Sequence, residues 1–150
     1  MANTYLSVNI HYVFSTKGRA HLIQSHAKER LWAFMGGIAR ENRMRPRCIG
    51  GTTNHTHLLV SMPATLSLAK GIQLIKGGSS AWIRDTFPEM QNFAWQEGYG
   101  AFSVGVSHLA ATITYIENQE AHHASQGFQE EFLTFLKKHQ VEYDEKYLWD

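Results

Sequence analysis

The stretch Asn54-His55-Thr56-His57-Leu58-Leu59-Val60 carries one of the two most informative residue pairs of the sequence. Its β-branched and apolar residues favour a strand, and Pro63 ends that strand. Side chains alternate along a strand, so residues two apart point to the same face. We therefore expect His55 and His57 to lie side by side on one face of a sheet.

A second pair of residues lies on a predicted helix that begins at Ser107 and runs to about His123. Tyr115 and Gln119 are four residues apart, and residues at that spacing are neighbours on a helix surface. The two pairs together would supply two imidazoles, a carboxamide oxygen and a phenol around a metal ion. Such a set suits the breaking of a phosphodiester bond through a tyrosyl intermediate.

The order of the predicted elements indicates an α+β fold. Strands and helices follow the order βαββαβ, the ferredoxin-like pattern of an antiparallel sheet with helices on one face. Its first and third strands are central neighbours, so we expect Asn9 and His11 beside His55 and His57. Additional C-terminal helices follow, and one of them carries Tyr115. The predicted segments are strands 5–15, 47–53, 54–62 and 93–104, and helices 25–42, 67–87, 107–123 and 128–139.

The composition indicates a folded protein. A chain of 150 residues with 43% hydrophobic residues is expected to form a single catalytic domain over residues 1–150. The first residues lack a basic region followed by an apolar run, and no stretch approaches the length of a membrane span. The single Cys48 suits a reducing compartment. These features predict a cytoplasmic protein that does not associate with membranes.

Charge is segregated along the chain, although the formal net charge is only +1. Residues 1–50 carry eight Lys or Arg against two Glu, whereas residues 117–150 carry three Lys against eight acidic residues. A basic first third suggests a surface for a polyanion. Its densest part lies between Arg40 and Arg47, and a solvated helix end is the alternative interpretation of any one arginine there.

Motifs along nearly the whole chain resemble one family. They are His11-Tyr12-Val13-Phe14-Ser15-Thr16-Lys17, Asn54-His55-Thr56-His57-Leu58-Leu59, Ile75-Lys76-Gly77, Trp95-Gln96-Glu97-Gly98-Tyr99-Gly100-Ala101-Phe102, Tyr115-Ile116-Glu117-Asn118-Gln119 and Val141-Glu142-Tyr143-Asp144. In this order they resemble the single-tyrosine HUH transposases of the insertion sequence 200/605 group and the repeat-associated tyrosine transposases. The chain departs from the family pattern at two positions. Thr56 replaces a usually hydrophobic residue, and Asn54 stands where Asp is frequent.

The resemblance implies a divalent metal ion, Mg²⁺ or Mn²⁺, bound by His55, His57 and Gln119. The Tyr115 hydroxyl would attack a phosphate of single-stranded DNA, giving a 5′-phosphotyrosine and a free 3′-hydroxyl. The phosphotyrosyl bond conserves the energy for rejoining, so no nucleotide cofactor is required. Imidazole ligands by themselves would suit Mn²⁺, Ni²⁺ or Zn²⁺ better than Mg²⁺.

The resemblance also implies partners. The expected substrate is single-stranded DNA with hairpins at the ends of a mobile element. The expected assembly is a homodimer, in which the tyrosine helix of one subunit can complete the site of the other. The candidate phosphate-binding residues are Lys17, Arg19, Arg43, Arg45, Arg47 and Lys76.

Other functions stay open at this stage. A domesticated endonuclease of the same chemistry, which processes repeated palindromic DNA, is the nearest alternative. A metal-dependent hydrolase would use the same histidines with water as nucleophile, so that Tyr115 would be dispensable. A non-catalytic nucleic-acid module on a ferredoxin-like sheet is the third, but its sheet face would be expected to display aromatic side chains rather than histidines.

Overall fold

The computed structural model describes residues 3–123 and 126–149, and its centre is an antiparallel sheet. The strands of this sheet are β1 (Asn9–Ser15), β2 (Arg45–Gly51), β3 (His55–Ser61) and β4 (Gly100–Val104). They lie in the order β2-β3-β1-β4, so the first and third strands are the central neighbours. The predicted α+β, ferredoxin-like fold class is therefore confirmed.

Two long helices cover one face of the sheet. They are α1 (Ser25–Glu41) and α2 (Leu68–Thr86). The Ser67 hydroxyl accepts a hydrogen bond from the backbone N–H of Lys70 at 3.0 Å and caps α2, which begins close to the predicted position. The main core lies between these helices and the sheet. Its fully buried side chains include Tyr12, Phe14, Leu31, Met35, Leu58 and Ile75.

The register between β1 and β3 places the histidines. His57 lies opposite Val13, and His55 lies opposite Ser15. Directly opposite residues of an antiparallel pair share a face of the sheet. His11 belongs to the same alternating set as Val13 and Ser15, so it lies on the histidine face, as predicted.

Three further helices cover the histidine face. They are α3 (Leu109–Glu117), α4 (Gln119–His123) and α5 (Phe128–Lys138). Apolar side chains of α5 pack against Val13 and Phe102 of the sheet and form a second core cluster. The residues that α5 contributes to this cluster are Phe128, Phe132 and Leu136. The histidine face is therefore enclosed rather than open to solvent.

The C-terminal tail joins this second cluster in part. Leu148 and Trp149 pack against it. Tyr147, in contrast, is 60% exposed. The predicted tail extends to Asp150, which lies outside the described residues.

Several element boundaries differ from the sequence prediction. The predicted helix 107–123 is interrupted at Asn118, which has φ −101° and ψ 25° and separates α3 from α4. Asparagine competes for backbone hydrogen bonds with its own side chain, so it is a weak helix residue. β1 begins at Asn9 rather than at residue 5, because its pairing with β3 ends where Asn9 meets Ser61. Tyr5, before this point, is 89% exposed.

The segment before β4 also differs from its prediction. Of the predicted strand 93–104, the ladder forms only from Gly100, and Trp95 makes an isolated bridge to Thr16. In the segment between this bridge and β4, the carbonyl oxygens of Glu97 and Gly98 accept hydrogen bonds from the Lys76 ammonium at 3.2 Å and 2.8 Å.

No helix within residues 3–123 and 126–149 has the length and apolar character that crossing a membrane requires. The longest of these helices, α2, carries Lys70, Lys76, Arg84 and Asp85.

Candidate active site

His55 and His57 each direct one ring nitrogen toward the same point above the sheet. Both side chains are fully buried. Nε2 of His55 lies 3.0 Å from Oε1 of Gln119, and Nε2 of His57 lies 2.9 Å from Oε1 of Glu131. The alternation of β3 thus produces two convergent imidazoles.

Each of these histidines is held by a partner on its other ring nitrogen. Nδ1 of His55 lies 2.9 Å from Oδ1 of Asn54 and 2.9 Å from Oγ1 of Thr52. Nδ1 of His57 lies 2.8 Å from Nε2 of His11. Such partners fix the tautomer and the orientation of a metal-binding histidine. Asn54 offers an oxygen as acceptor, as an aspartate would, so the departure from the family pattern preserves this hydrogen bond.

Burial keeps the rings of His55 and His11 neutral. Burial, followed by repulsion from His57, lowers the pKa of His55 to about 3. Burial and then the proximity of His57 hold the pKa of His11 well below its ordinary value. A neutral imidazole presents the lone pair that a metal ion requires, so the site is prepared for a cation at neutral pH.

Tyr115 lies in the last turn of α3, and its ring centroid is 5.8 Å from that of His57. Its hydroxyl donates a hydrogen bond to Oε2 of Glu131. Burial raises the pKa of Tyr115 far above its ordinary value, and the hydrogen bond to the Glu131 carboxylate raises it further. The phenol is therefore neutral in this arrangement and must lose its proton if it acts as a nucleophile.

Gln119 is the first residue of α4 and is buried beside Tyr115. Its Nε2 donates to the carbonyl oxygen of Tyr115 at 3.2 Å, while its Oε1 faces His55. The two residues remain neighbours although the helix is interrupted at Asn118. The structure therefore brings together all four residues that the sequence places at the site, His55, His57, Tyr115 and Gln119.

A glycine in β2 allows α3 to approach the sheet. A Cβ atom added at Gly50 would lie 2.9 Å from the carbonyl oxygen of Ile116 and 3.0 Å from its Cγ2. Real Cβ atoms rarely have contacts this short, so a larger residue at Gly50 would displace the end of α3. The position of Tyr115, which precedes Ile116, therefore depends on this glycine.

Glu131 and His123 also belong to this cluster. The sequence did not single out Glu131, and it gave His123 no role beyond its place at the end of the predicted tyrosine helix. Glu131, in α5, is 1% exposed, and His123, in α4, is partly buried with its Nε2 3.0 Å from Oε2 of Glu131. A sequence signal for Glu131 exists, because it lies three residues after Phe128 and one before Phe132. A carboxylate within the apolar stripe of a helix is a candidate for a buried role.

The Glu131 carboxylate is ionised. Burial alone would raise the pKa of Glu131, but hydrogen bonds from His123 and His57 outweigh it and hold this pKa well below its ordinary range. The Tyr115 hydroxyl contributes a further hydrogen bond. A buried anion therefore lies at the centre of a group of neutral or proton-donating side chains.

The donor set fits a divalent cation. One ligand atom from each of His55, His57, His123 and Glu131 can be chosen so that all lie within 4.8 Å of one another. The amide oxygen of Gln119 offers a further ligand beside His55. Imidazoles favour Zn²⁺, Ni²⁺ or Mn²⁺, whereas carboxylate and amide oxygens shift the preference toward Mn²⁺ and Mg²⁺. The residues therefore fit a divalent cation, and this donor set does not select one metal.

A cavity of about 590 Å³ opens beside Tyr115, between β4, α3 and α5. The residues that line it include Phe102, Phe135, Lys138 and His139. The rings of Phe102 and His139 are stacked, with centroids 4.8 Å apart. A volume of this size with aromatic and basic lining residues can hold a nucleotide next to the phenol.

Two of the predicted phosphate-binding residues lie at the histidine end of the sheet. Lys17 and Arg19 follow β1, and the backbone N–H of Thr16 bonds the carbonyl of Asn54 at 2.9 Å. Lys17 is exposed, whereas the Arg19 guanidinium lies 5.3 Å from the ring centroid of Trp149.

The other predicted phosphate-binding residues are elsewhere. Arg43, Arg45 and Arg47 are exposed near the start of β2, where Arg45 pairs with Ser61 at the opposite end of the sheet from His55. Lys76 lies on α2, on the other face, and its ammonium is bonded to two backbone carbonyls. Burial lowers the pKa of Lys76 to about 8. The six cations therefore do not form one patch.

The sequence also matches a known protein family. The sequence profile of the family described as "Transposase IS200 like" matches residues 4–119. The chain belongs to this family. The matched residues include His55, His57, Tyr115 and Gln119, whereas α5 with Glu131 lies beyond them. No curated protein sequence matches the chain.

Solved structures share the fold of this IS200-like transposase. A candidate transposase from Deinococcus radiodurans R1 is 21% identical, with a TM-score of 0.62 over 79% of this chain and 96% of that one. A REP-associated tyrosine transposase bound to a REP hairpin is 12% identical, with a TM-score of 0.58 over 82% of this chain and 74% of that one. At these identities the likeness concerns the fold.

Proposed function

We propose that this IS200-like transposase cleaves and rejoins single-stranded DNA through a 5′-phosphotyrosine formed on Tyr115. The observation that carries this proposal is the position of the phenol. The Tyr115 hydroxyl shares the Glu131 carboxylate with His57 and His123, so the nucleophile and the candidate metal ligands form one cluster. A tyrosine used only for packing would not require a hydroxyl bonded inside a metal-binding group.

His55, His57 and Gln119 would hold a divalent ion, with Mg²⁺ and Mn²⁺ as the proposed cofactors. When bound, the ion would neutralise charge that develops on the scissile phosphate and would orient that phosphate. His11 and Asn54 would keep the two imidazoles in the tautomers that present Nε2 to the ion.

The proposed reaction is a transesterification. Tyr115 Oη forms a bond to phosphorus, the bond between phosphorus and the 3′ oxygen breaks, and the phenolic proton is released while the 3′ oxygen becomes a hydroxyl. Rejoining reverses these changes with a 3′-hydroxyl as nucleophile. Bond energy is conserved in the phosphotyrosine, so the chain needs no nucleotide cofactor.

The proposed substrate is single-stranded DNA with hairpins at the element ends. A structurally similar transposase was solved with a REP hairpin, which supports this class of substrate. Lys17 and Arg19 would contact the strand near the site, and Arg43, Arg45 and Arg47 would contact phosphates farther away. A homodimer remains our prediction, although a single chain supplies both Tyr115 and the histidines beside it.

A suicide-substrate assay tests the proposal against its alternatives. Wild type and Tyr115→Phe are mixed with labelled single-stranded DNA from the flanks of the gene, with Mn²⁺, with Mg²⁺ or with EDTA. We expect a metal-dependent covalent adduct in wild type and none in Tyr115→Phe. Cleavage that persists in Tyr115→Phe without an adduct would indicate a water-using hydrolase. Binding without cleavage would indicate a non-catalytic module.

A domesticated endonuclease shares the first half of this chemistry. It would form the same adduct on a palindromic repeat, but it would not join the element ends. Adding an acceptor strand with a free 3′-hydroxyl to the purified adduct distinguishes the two functions, because a transposase is expected to transfer the strand to it.

A further inference from the structure

Glu131 is a buried carboxylate that the family profile does not reach. It lies in α5, is 1% exposed, and follows the matched residues 4–119 by twelve positions. Its neighbour Glu130 is exposed on the same helix. Burying a carboxylate is costly unless it is fully paired, so its environment calls for a specific explanation.

The two oxygens of Glu131 face different groups. Oε1 lies 2.9 Å from Nε2 of His57 and 3.6 Å from Nε2 of His55. Oε2 accepts the hydrogen bond of the Tyr115 hydroxyl and lies 3.0 Å from Nε2 of His123. One oxygen therefore belongs to the histidine pair, and the other belongs to the nucleophile.

The spacing around Oε1 matches that of ligands that share an ion. Two donor atoms at about 2.1 Å from one ion are about 3.0 Å apart at a right angle and about 3.4 Å apart at the tetrahedral angle. The observed separations are 2.9 Å and 3.6 Å from Glu131 to the histidines, and 3.0 Å from His55 to Gln119.

We propose that Glu131 couples the nucleophile to the metal centre. Through Oε1 it is a metal ligand in addition to His55, His57 and Gln119, and through Oε2 it orients the Tyr115 hydroxyl. α5 is thus a part of the catalytic machinery of this chain. The orienting role rests on the function proposed above, whereas the ligand role concerns the metal site itself.

The alternative is that Glu131 only accepts hydrogen bonds from its buried neighbours and takes no part in metal binding. A matched pair of variants separates these roles, because Glu131→Gln keeps the shape of the side chain but removes its charge and replaces one acceptor oxygen with an amide donor. Glu130→Gln makes the same change at the preceding residue, on the exposed side of α5. Circular dichroism and urea unfolding without metal report whether each variant is folded.

The first readout is Mn²⁺ affinity, from the electron paramagnetic resonance signal of the free ion during titration. We expect Glu131→Gln to bind Mn²⁺ at least about tenfold more weakly than wild type, whereas Glu130→Gln and Tyr115→Phe bind it normally. Equal Mn²⁺ affinity in Glu131→Gln and wild type would overturn the ligand role. If Glu131→Gln does not fold, Glu131→Asp replaces it. Its carboxylate is shorter, so we expect Mn²⁺ to bind it more weakly than wild type but more tightly than a variant that lacks this ligand.

The second readout is the rate of adduct formation at saturating Mn²⁺. We expect this rate to fall about a hundredfold in Glu131→Gln, because a misplacement of about 1 Å at a reacting group has an effect of this size. An unchanged rate would overturn the orienting role. Absence of any adduct in wild type would instead refute the proposed function, while the Mn²⁺ titration would still decide the ligand role.

Discussion

At the scale of the residue, the site depends on which nitrogen each histidine presents. His57 can direct Nε2 into the cluster because Nδ1 is engaged by His11 at 2.8 Å, and His55 does so because Nδ1 is engaged by Asn54 at 2.9 Å. Outer partners of this kind typically contribute 10–100-fold to metal affinity. His11 is therefore expected to matter although it does not face the cation.

Replacing His11 tests whether the outer partners of the histidines contribute to metal binding. We expect His11→Leu to lower Mn²⁺ affinity by about 10–100-fold, because the His57 ring loses the partner that fixes its tautomer. His26→Leu is the control, since His26 on α1 is exposed and its partner Glu89 follows α2, away from the site. Titration of both variants with Mn²⁺ measures the difference, and equal affinities would contradict this role of His11.

At the residue scale, the sequence predicted which side chains are neighbours wherever their spacing along one strand or helix determines this. The two-residue period of β3 predicted the convergence of His55 and His57, and the four-residue period predicted that Tyr115 and Gln119 are neighbours. Glu131 could not be found in this way, because its partners lie on β3 and α3, far away in sequence. Its place in an apolar stripe was the local signal available.

At the scale of the element, the packing of α3 on β2 sets the position of the tyrosine. Gly50 lies directly beneath the carbonyl group of Ile116, where a Cβ atom would meet backbone rather than a flexible side chain. Backbone cannot yield as a side chain does, so the helix would shift as a whole. α2 provides a contrast, because nothing lies within 4 Å of a Cβ atom added at Gly77.

The same substitution at these two glycines is expected to have opposite effects. Gly77→Ala should raise the free energy of unfolding by about 0.5–1 kcal/mol, because alanine restricts the unfolded chain and favours a helix. Gly50→Ala should lower it by about 1–3 kcal/mol through overpacking, and should also slow adduct formation. Urea unfolding of both variants measures the energies. A stable and fully active Gly50→Ala would contradict the assigned role of this close approach.

Element boundaries were predictable only where local sequence determines them. The Ser67 cap and the end of α2 before Pro88 follow from side-chain chemistry near the helix termini. The start of β1 does not, because it is set by the length of its partner β3. The interruption at Asn118 also depends on tertiary contacts, since Gln119 continues into a buried position against the sheet.

At the scale of the whole molecule, the topology was predictable and the distribution of cations was not. Strand and helix order constrains a ferredoxin-like sheet strongly, so the central pairing of β1 with β3 followed from the sequence. Whether distant basic residues share a surface depends on the complete fold. Arg45 pairs with Ser61, which is four residues beyond His57 along β3, or about 13 Å.

This separation predicts that DNA affinity and metal affinity can be changed independently. Replacing Arg43, Arg45 and Arg47 together by Gln should make the plot of log binding constant against log salt concentration less steep. Each phosphate contact contributes about 0.7–0.9 to this slope, so we expect the slope for hairpin binding to change by about two to three. Mn²⁺ affinity should stay at the wild-type level. Fluorescence anisotropy with a hairpin at several salt concentrations measures the slope, and an unchanged slope would place the DNA elsewhere on the molecule.

The most direct test of the central claim, that Tyr115 becomes covalently joined to DNA, is mass spectrometry of the purified adduct after protease and nuclease digestion. We expect a nucleotide joined through its 5′ phosphate to the peptide that contains Tyr115, and a free 3′-hydroxyl on the released strand. A nucleotide on a different residue, or cleavage products with no modified peptide, would contradict it.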